Sequence, residues 1–170
     1  MRSFAEERRT RTEQLLMTAP ISITSMIFAK FLAAFTMFAG TVIISCVYYL
    51  PLFGYGEPNV GKAVGCLIAM LLIGMCFIAV GIFVSTLTES TVTASIGTMG
   101  ILVLFVAASI FNSLIDSYVI RSVLSWISVY ARYVNFTYGI FDVAATVYYL
   151  SITTVFLFLA VRIYERRRYA

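Results

Sequence analysis

Four long apolar stretches decide what this chain can become. They run from about Ile27 to Leu50, Ala63 to Leu87, Thr91 to Ile115 and about Val143 to Val161. A helix needs about 20 largely apolar residues to cross the hydrocarbon core of a bilayer, and each stretch meets that need. The last three contain no charge, and the first contains only Lys30. Lipid offers no hydrogen bonds to a bare backbone, so these segments must be helices. The expectation is an all-α integral membrane protein with four transmembrane helices. Charged residues make up 12% of the chain, against about 25% in soluble domains. Too few remain to coat a soluble surface.

The ends of the stretches carry their own stop signals. Pro51 and the turn Gly54-Tyr55-Gly56-Glu57-Pro58-Asn59 end the first, and Thr88-Glu89-Ser90 leaves only a short turn after the second. Asp116 stops the third, and Arg162, Arg166, Arg167 and Arg168 follow the fourth. With four crossings, both termini fall on one side. That side holds Arg2, Arg8, Arg9, Arg11, Lys30 and the four C-terminal arginines; the other holds Lys62, Arg121 and Arg132. The positive-inside rule then makes both termini cytoplasmic.

Between the third and fourth stretches, Asp116 to Asp142 is too polar to cross and too apolar to float free. Val119, Val123, Trp126, Ile127 and Tyr130 recur at helical spacing, with Arg121, Ser125, Ser128 and Arg132 on the other face. Such a segment suits an interfacial or re-entrant helix at the outer boundary, for which Arg121, Trp126, Tyr130 and Arg132 are the marker residues. Tyr133, Phe136, Tyr138 and Phe141 would extend an aromatic belt there. An ordinary outer loop anchoring the last span fits the same residues.

Composition removes several chemistries. The chain has no His, the commonest metal ligand and the usual general base near neutral pH. Cys46, Cys66 and Cys76 lie in apolar runs without ligand spacing and read as packing residues. No metal site and no catalytic residue is expected. Gly56 to Ala63 nearly spells a phosphate-binding loop, but Ala63 lacks the hydroxyl that would hold magnesium and no strand precedes it. Gly61 and Gly65 there read better as small residues for close helix packing.

The first 22 residues form a region of their own, ahead of a transmembrane domain from 23 to 170. Ser3-Phe4-Ala5-Glu6 fits a capping box, and Thr12-Glu13 suits a second helix start. Leu15, Leu16 and Met17 give an apolar surface; Pro20 enforces a break; Ser22 or Thr24 can cap the helix behind it. A basic amphipathic segment could lie on the membrane surface, but Glu6, Glu7 and Glu13 would be repelled by anionic lipid.

Arg2-Ser3-Phe4-Ala5-Glu6-Glu7-Arg8, Thr12-Glu13-Gln14-Leu15-Leu16, Thr18-Ala19-Pro20-Ile21-Ser22 and Ala29-Lys30-Phe31 together resemble the cytoplasmic coupling region of type-2 ATP-binding-cassette (ABC) exporter permeases. The closest likeness is to the gliding-motility-type branch. Gly139-Ile140-Phe141-Asp142, Val147-Tyr148-Tyr149-Leu150-Ser151 and the run from Phe156 to Arg162 are similar to the same family, as is the Ser85 to Ser90 turn. Two positions depart from it: Arg11 and Ala29 stand where the family usually has Gly. The resemblance implies a permease subunit with no catalytic site of its own, in a bacterial cytoplasmic membrane. It also implies two permeases, the second a further copy or a homologue, with two ABC ATPase subunits that carry the ATP and magnesium. It implies six spans per permease, of which this chain supplies four. The first two spans are therefore expected ahead of a misassigned start, beyond the end of a fragment, or from another subunit.

The resemblance assigns ATPase coupling to Phe4, Glu6, Glu7, Arg8, Arg9, Thr12, Leu15, Leu16 and Pro20. Pathway lining is sought among the hydroxyl and amide side chains of the third stretch, Ser95, Thr98, Ser109 and Asn112. Gly74, Gly81, Ser85 and Thr88 offer a comparable face on the second. The same small and hydroxylated residues also serve helix packing in lipid. Two other functions remain open, a non-transporting scaffold or sensor and a small self-contained drug carrier. The carrier would need an ionisable residue deep in a span, and Lys30 reads as lying at the cytoplasmic edge.

Overall fold

The computed structural model describes residues 22–49, 51, 59–88, 90–114, 132–133, 136–138 and 142–168, with side chains for all of these except 109–114 and 167–168. Four long helices carry the fold: α1 (Ile23–Ser45), α2 (Val60–Leu87), α3 (Thr91–Leu114) and α4 (Val143–Arg168). A 3₁₀ turn, Cys46–Tyr49, extends α1. All four are long and apolar enough to cross a membrane, and no strand occurs among the described residues. The chain is a multi-pass membrane protein.

α1, α2 and α4 each start where a side chain takes up free N–H groups of the first turn. The Ser22 hydroxyl accepts from the Ser25 N–H at 3.4 Å, Asn59 Oδ1 from the Lys62 N–H at 3.3 Å, and Asp142 Oδ1 from Ala144 and Ala145 at 2.9 and 3.3 Å. Ser22, rather than Thr24, is the cap of α1; the Thr24 hydroxyl donates to Ser22 Oγ. Gly61 and Lys62, part of the near phosphate loop, belong to the first turn of α2. Gly61 is exposed on this chain. Its missing side chain leaves room for the Asn59 cap, whose Oδ1 would stand 3.3 Å from a Cβ there.

The helices alternate in direction, so the start of α1 and the end of α4 share one end of the bundle, here termed proximal. α2 is central: it packs on α4 most extensively and on α1 and α3 as well, while α1 also touches α4. The proximal core joins Ile27 and Phe31 of α1, Ala79 and Ile82 of α2, and Leu157, Ala160, Val161 and Tyr164 of α4. Phe83 and Phe156 add an edge-to-face pair at 5.4 Å beside it. The distal core joins Ala69 and Cys76 of α2 to Ala145 and Tyr149 of α4. Phe136 fills that core and is fully buried. It is therefore no part of an aromatic belt: composition marks an aromatic residue near an interface but cannot tell a rim residue from one folded under it. Tyr138, by contrast, is exposed.

The outward faces are as apolar as the inward ones. Met37, Ile44, Ile96, Met99 and Leu104 are all exposed. In water such faces would be a liability; lipid tails cover them at no cost. Hydroxyls within the spans donate to carbonyls of their own helix: Thr41 to Met37, Ser45 to Thr41, Thr98 to Ala94, Thr153 to Tyr149 and Thr154 to Leu150, at 2.7–3.0 Å. That pairing satisfies a polar group without any partner from a neighbouring helix.

Candidate functional site

Between α1 and α2 lies a cavity of about 580 Å³. From α1 it takes Lys30, Ala34 and Phe38, residues four apart and so on one helical face. From α2 it takes Met70, Gly74, Phe77, Gly81 and Ser85, with Ile73, Ile78 and Ile82 beside them. Leu102 of α3 and Tyr133 complete the wall. Ala34 and Met70 are exposed, so the cavity opens sideways on the bundle surface. One glycine is decisive for its shape. A Cβ on Gly74 would collide with the Phe38 ring, so only glycine lets that ring lie against the α2 backbone.

The lining is mostly apolar, with the Tyr133 phenol toward the distal end and two polar side chains toward the proximal one. There Lys30 brings an ammonium and Ser85 a hydroxyl. Lys30 lies roughly 10 Å along α1 from its start, at 1.5 Å per residue. Ser85 is 2% exposed. Among the described residues, its Oγ is the buried side-chain oxygen that has no hydrogen-bond partner. A buried hydroxyl left unpaired costs about 1–3 kcal/mol.

The pathway candidates on α3 part company. Thr98 is fully buried, and Ser95 is exposed with its hydroxyl on the Thr91 carbonyl at 2.8 Å. Neither lines the cavity. Ser109 and Asn112 fall within α3, but their side chains lie outside the described residues. So do Phe4, Glu6, Glu7, Arg8, Arg9, Thr12, Leu15, Leu16 and Pro20, and Arg121, Trp126 and Tyr130. Arg132 is described: its guanidinium stands 4.1 Å from the centre of the Tyr148 ring. A cation over an aromatic face is attracted by the ring quadrupole, which ties the approach to α4 onto α4 itself. Cys46, Cys66 and Cys76 are free thiols, and no group of metal-ligating side chains occurs among the described residues.

A family model described as ABC-2 family transporter protein matches residues 1–163. The chain belongs to the ABC-2 transporter family. It is thus the membrane permease part of an ABC transporter, a type of subunit that works with an ABC ATPase and typically has no catalytic activity of its own. No curated protein and no solved structure matches the chain.

In this ABC-2 permease, Gly74, Gly81, Ser85 and Thr88 stood out in the sequence as one face; the first three line the cavity, while the Thr88 hydroxyl donates to the Val84 carbonyl at 3.2 Å. Phe38, Met70 and Phe77 did not stand out, because large apolar residues are everywhere in a membrane chain. The i, i+4, i+8 series Lys30, Ala34, Phe38 was the available signal: a lone charge in an apolar run, with a small residue one turn on.

Proposed function

We propose that this permease works in an ABC exporter of the gliding-motility-type branch, driven through its first 22 residues. In this reading Glu6, Glu7, Arg8 and Arg9 make charged contacts with a groove on the ATPase. Phe4 and Thr12 shape the docking helices, and Leu15 and Leu16 pack against the ATPase or the base of α1. Pro20 then acts as the hinge. ATP and magnesium stay on the ATPase, and closure of two ATPases around ATP moves the segment. A second permease, identical or homologous, completes the transporter. Both termini face the cytoplasm of a bacterial cell, as the excess of Arg and Lys toward the ends of the chain favours.

The family match across residues 1–163 carries this reading. The position of α1 supports it mechanically. α1 begins one residue after the Ser22 cap, and Ile27 and Phe31 near its start pack into a core shared with α2 and α4. A push delivered just before Ser22 would reach three helices at once. Glu7→Arg is expected to lower co-purification of the ATPase about tenfold, the loss of one charge-assisted contact plus a repulsion, and to leave membrane insertion unchanged. Unaltered co-purification and unaltered coupled ATP hydrolysis would sink the coupling role.

A self-contained carrier is the second reading, favoured by one observation: Lys30 of the first span lines the cavity between α1 and α2. Dependence on the ATPase separates the two. A carrier transports in liposomes without it; an ABC permease does not.

A further inference from the structure

Ser85 breaks a habit kept by the hydroxyls around it. Ser45, Ser95 and Ser151 each donate to the carbonyl one turn back, at 2.9, 2.8 and 2.7 Å. Beside Ser85, Thr86 donates to the Phe83 carbonyl at 2.7 Å and Thr88 to the Val84 carbonyl at 3.2 Å. Ser85 makes no such bond: it lines the cavity, and its buried Oγ has no hydrogen-bond partner among the described residues. Lys30 and Tyr133 also line the cavity but have partners of their own. What stands unmet is therefore one neutral hydroxyl.

Depth in the membrane says which acceptor can reach it. α2 has 28 residues, roughly 42 Å at 1.5 Å per residue. A bilayer measures about 30 Å across its hydrocarbon and about 40–45 Å with its polar layers, so a centred α2 crosses both. Ser85, two residues before the end of α2, then lies in the proximal polar layer, where glycerolipids carry their ester carbonyls. Gly74 lies at the middle of α2, and so at the midplane, where the Phe38 ring rests on it. We propose that the proximal half of the cavity holds one acyl chain of a glycerolipid from that leaflet, with its ester carbonyl accepting from the Ser85 hydroxyl.

The dimensions and the chemistry agree. Ser85 to Gly74 is roughly 16 Å along α2, against about 15 Å of hydrocarbon in one leaflet. Over that length the wall is Phe77, Ile78, Gly81 and Ile82 from α2, with Ala34 and Phe38 from α1. Ala34 is exposed, which opens this half sideways to lipid. An ester has acceptors and no donor, so it takes the Ser85 proton without bringing one that needs a partner. It is also neutral, so it adds no charge beside Lys30, and the headgroup stays outside the cavity. The half beyond Gly74, with Met70 and Tyr133, is not used. Binding makes no use of the ATPase and does not require that the lipid be exported.

The test uses the full-length protein in dodecyl maltoside and diacyl phosphatidylcholine carrying a photoreactive diazirine in one acyl chain. Saturable labelling is expected on peptides that contain Ala34, Phe38 or Phe77. Unlabelled diacyl phosphatidylcholine should compete about fivefold better than its ether-linked dialkyl counterpart, the ratio for one hydrogen bond of ordinary net strength. Diacyl phosphatidylglycerol should compete as well as diacyl phosphatidylcholine. Ser85→Ala should abolish the preference for ester over ether while labelling persists, and Ala34→Phe, at an exposed lining position, should remove saturable labelling. Equal competition by the dialkyl lipid overturns the proposal on the unaltered protein, with no variant needed. A clear preference for phosphatidylglycerol overturns it as well, since recognition would then lie with a charged headgroup. So does unsaturable labelling spread over exposed positions such as Met99. Absence of labelling together with disulfide-linked dimers of Ala34→Cys would overturn it in favour of a second copy of the protein in the groove.

Discussion

α2 and α3 are joined by a turn of three residues and are both free of acidic side chains, yet they meet opposite fates. Over the best membrane-crossing window, 44% of α2 is buried within the bundle and only 11% of α3. α2 contacts every other helix; α3 packs mainly on α2 through Ala94 and Thr98 and leaves Val92, Ile96, Met99 and Val103 outward. Apolarity therefore says that a segment belongs in the membrane and nothing about which neighbours it has there. Both helices carry small residues, so what separates the two is where these fall: Gly100 of α3 faces open space. α2 places Ala69, Gly74, Ala79 and Gly81 on its buried faces. Small side chains let backbones approach closely, which is the main source of helix cohesion in lipid.

Three paired substitutions would break or sharpen this contrast, each read by thermal unfolding in detergent. The largest effect is expected from Ala79→Leu, a fully buried site against Ile27, Phe31 and Leu157. Overpacking there should cost up to about 3 kcal/mol. Met99→Phe, at a position 69% exposed on α3, should change stability by less than about 0.5 kcal/mol. An equal loss at both sites would mean that α3 is as tightly enclosed as α2.

Next comes a pair of glycines. On Gly74 a new methyl group meets the Phe38 ring, whereas on Gly100 it meets nothing within 4 Å. Gly74→Ala should destabilise by about 1 kcal/mol, since displacing the ring outweighs the helix gain of alanine. Gly100→Ala should be neutral or slightly stabilising. The smallest contrast lies within α3 itself. Thr98→Ala should cost about 1 kcal/mol through lost packing, while Ser95→Ala should leave stability alone. If Ser95→Ala instead lowers transport, the exposed face of α3 is part of the pathway.

Much of the fold could be read from the sequence because lipid imposes a single strong rule. Length and apolarity located the helices, and Ser22, Asn59 and Asp142 lie where capping chemistry expects them. The site was only half legible. Gly74, Gly81 and Ser85 drew notice as small residues on one face, and they line the cavity. Ser95 and Thr98 drew notice as hydroxyls, and they do not. The reason is physical: a hydroxyl that donates to the carbonyl one turn back has no need to face the protein interior. Phe136 shows the same limit for aromatic residues, since an interfacial rim and a buried core draw on the same side chains.

That habit of hydroxyls has a mechanical side. Thr41, Ser45, Ser95, Thr98, Thr153 and Thr154 each lean on their own helix. Sliding one helix past another would break none of these bonds. The resistance from these contacts would come only from side chains riding over one another. In the ATPase-driven coupling proposed above, in which helices shift at every cycle, these threonines and serines would act as a dry bearing: polar enough to hold each rod straight, and silent toward the rod beside it.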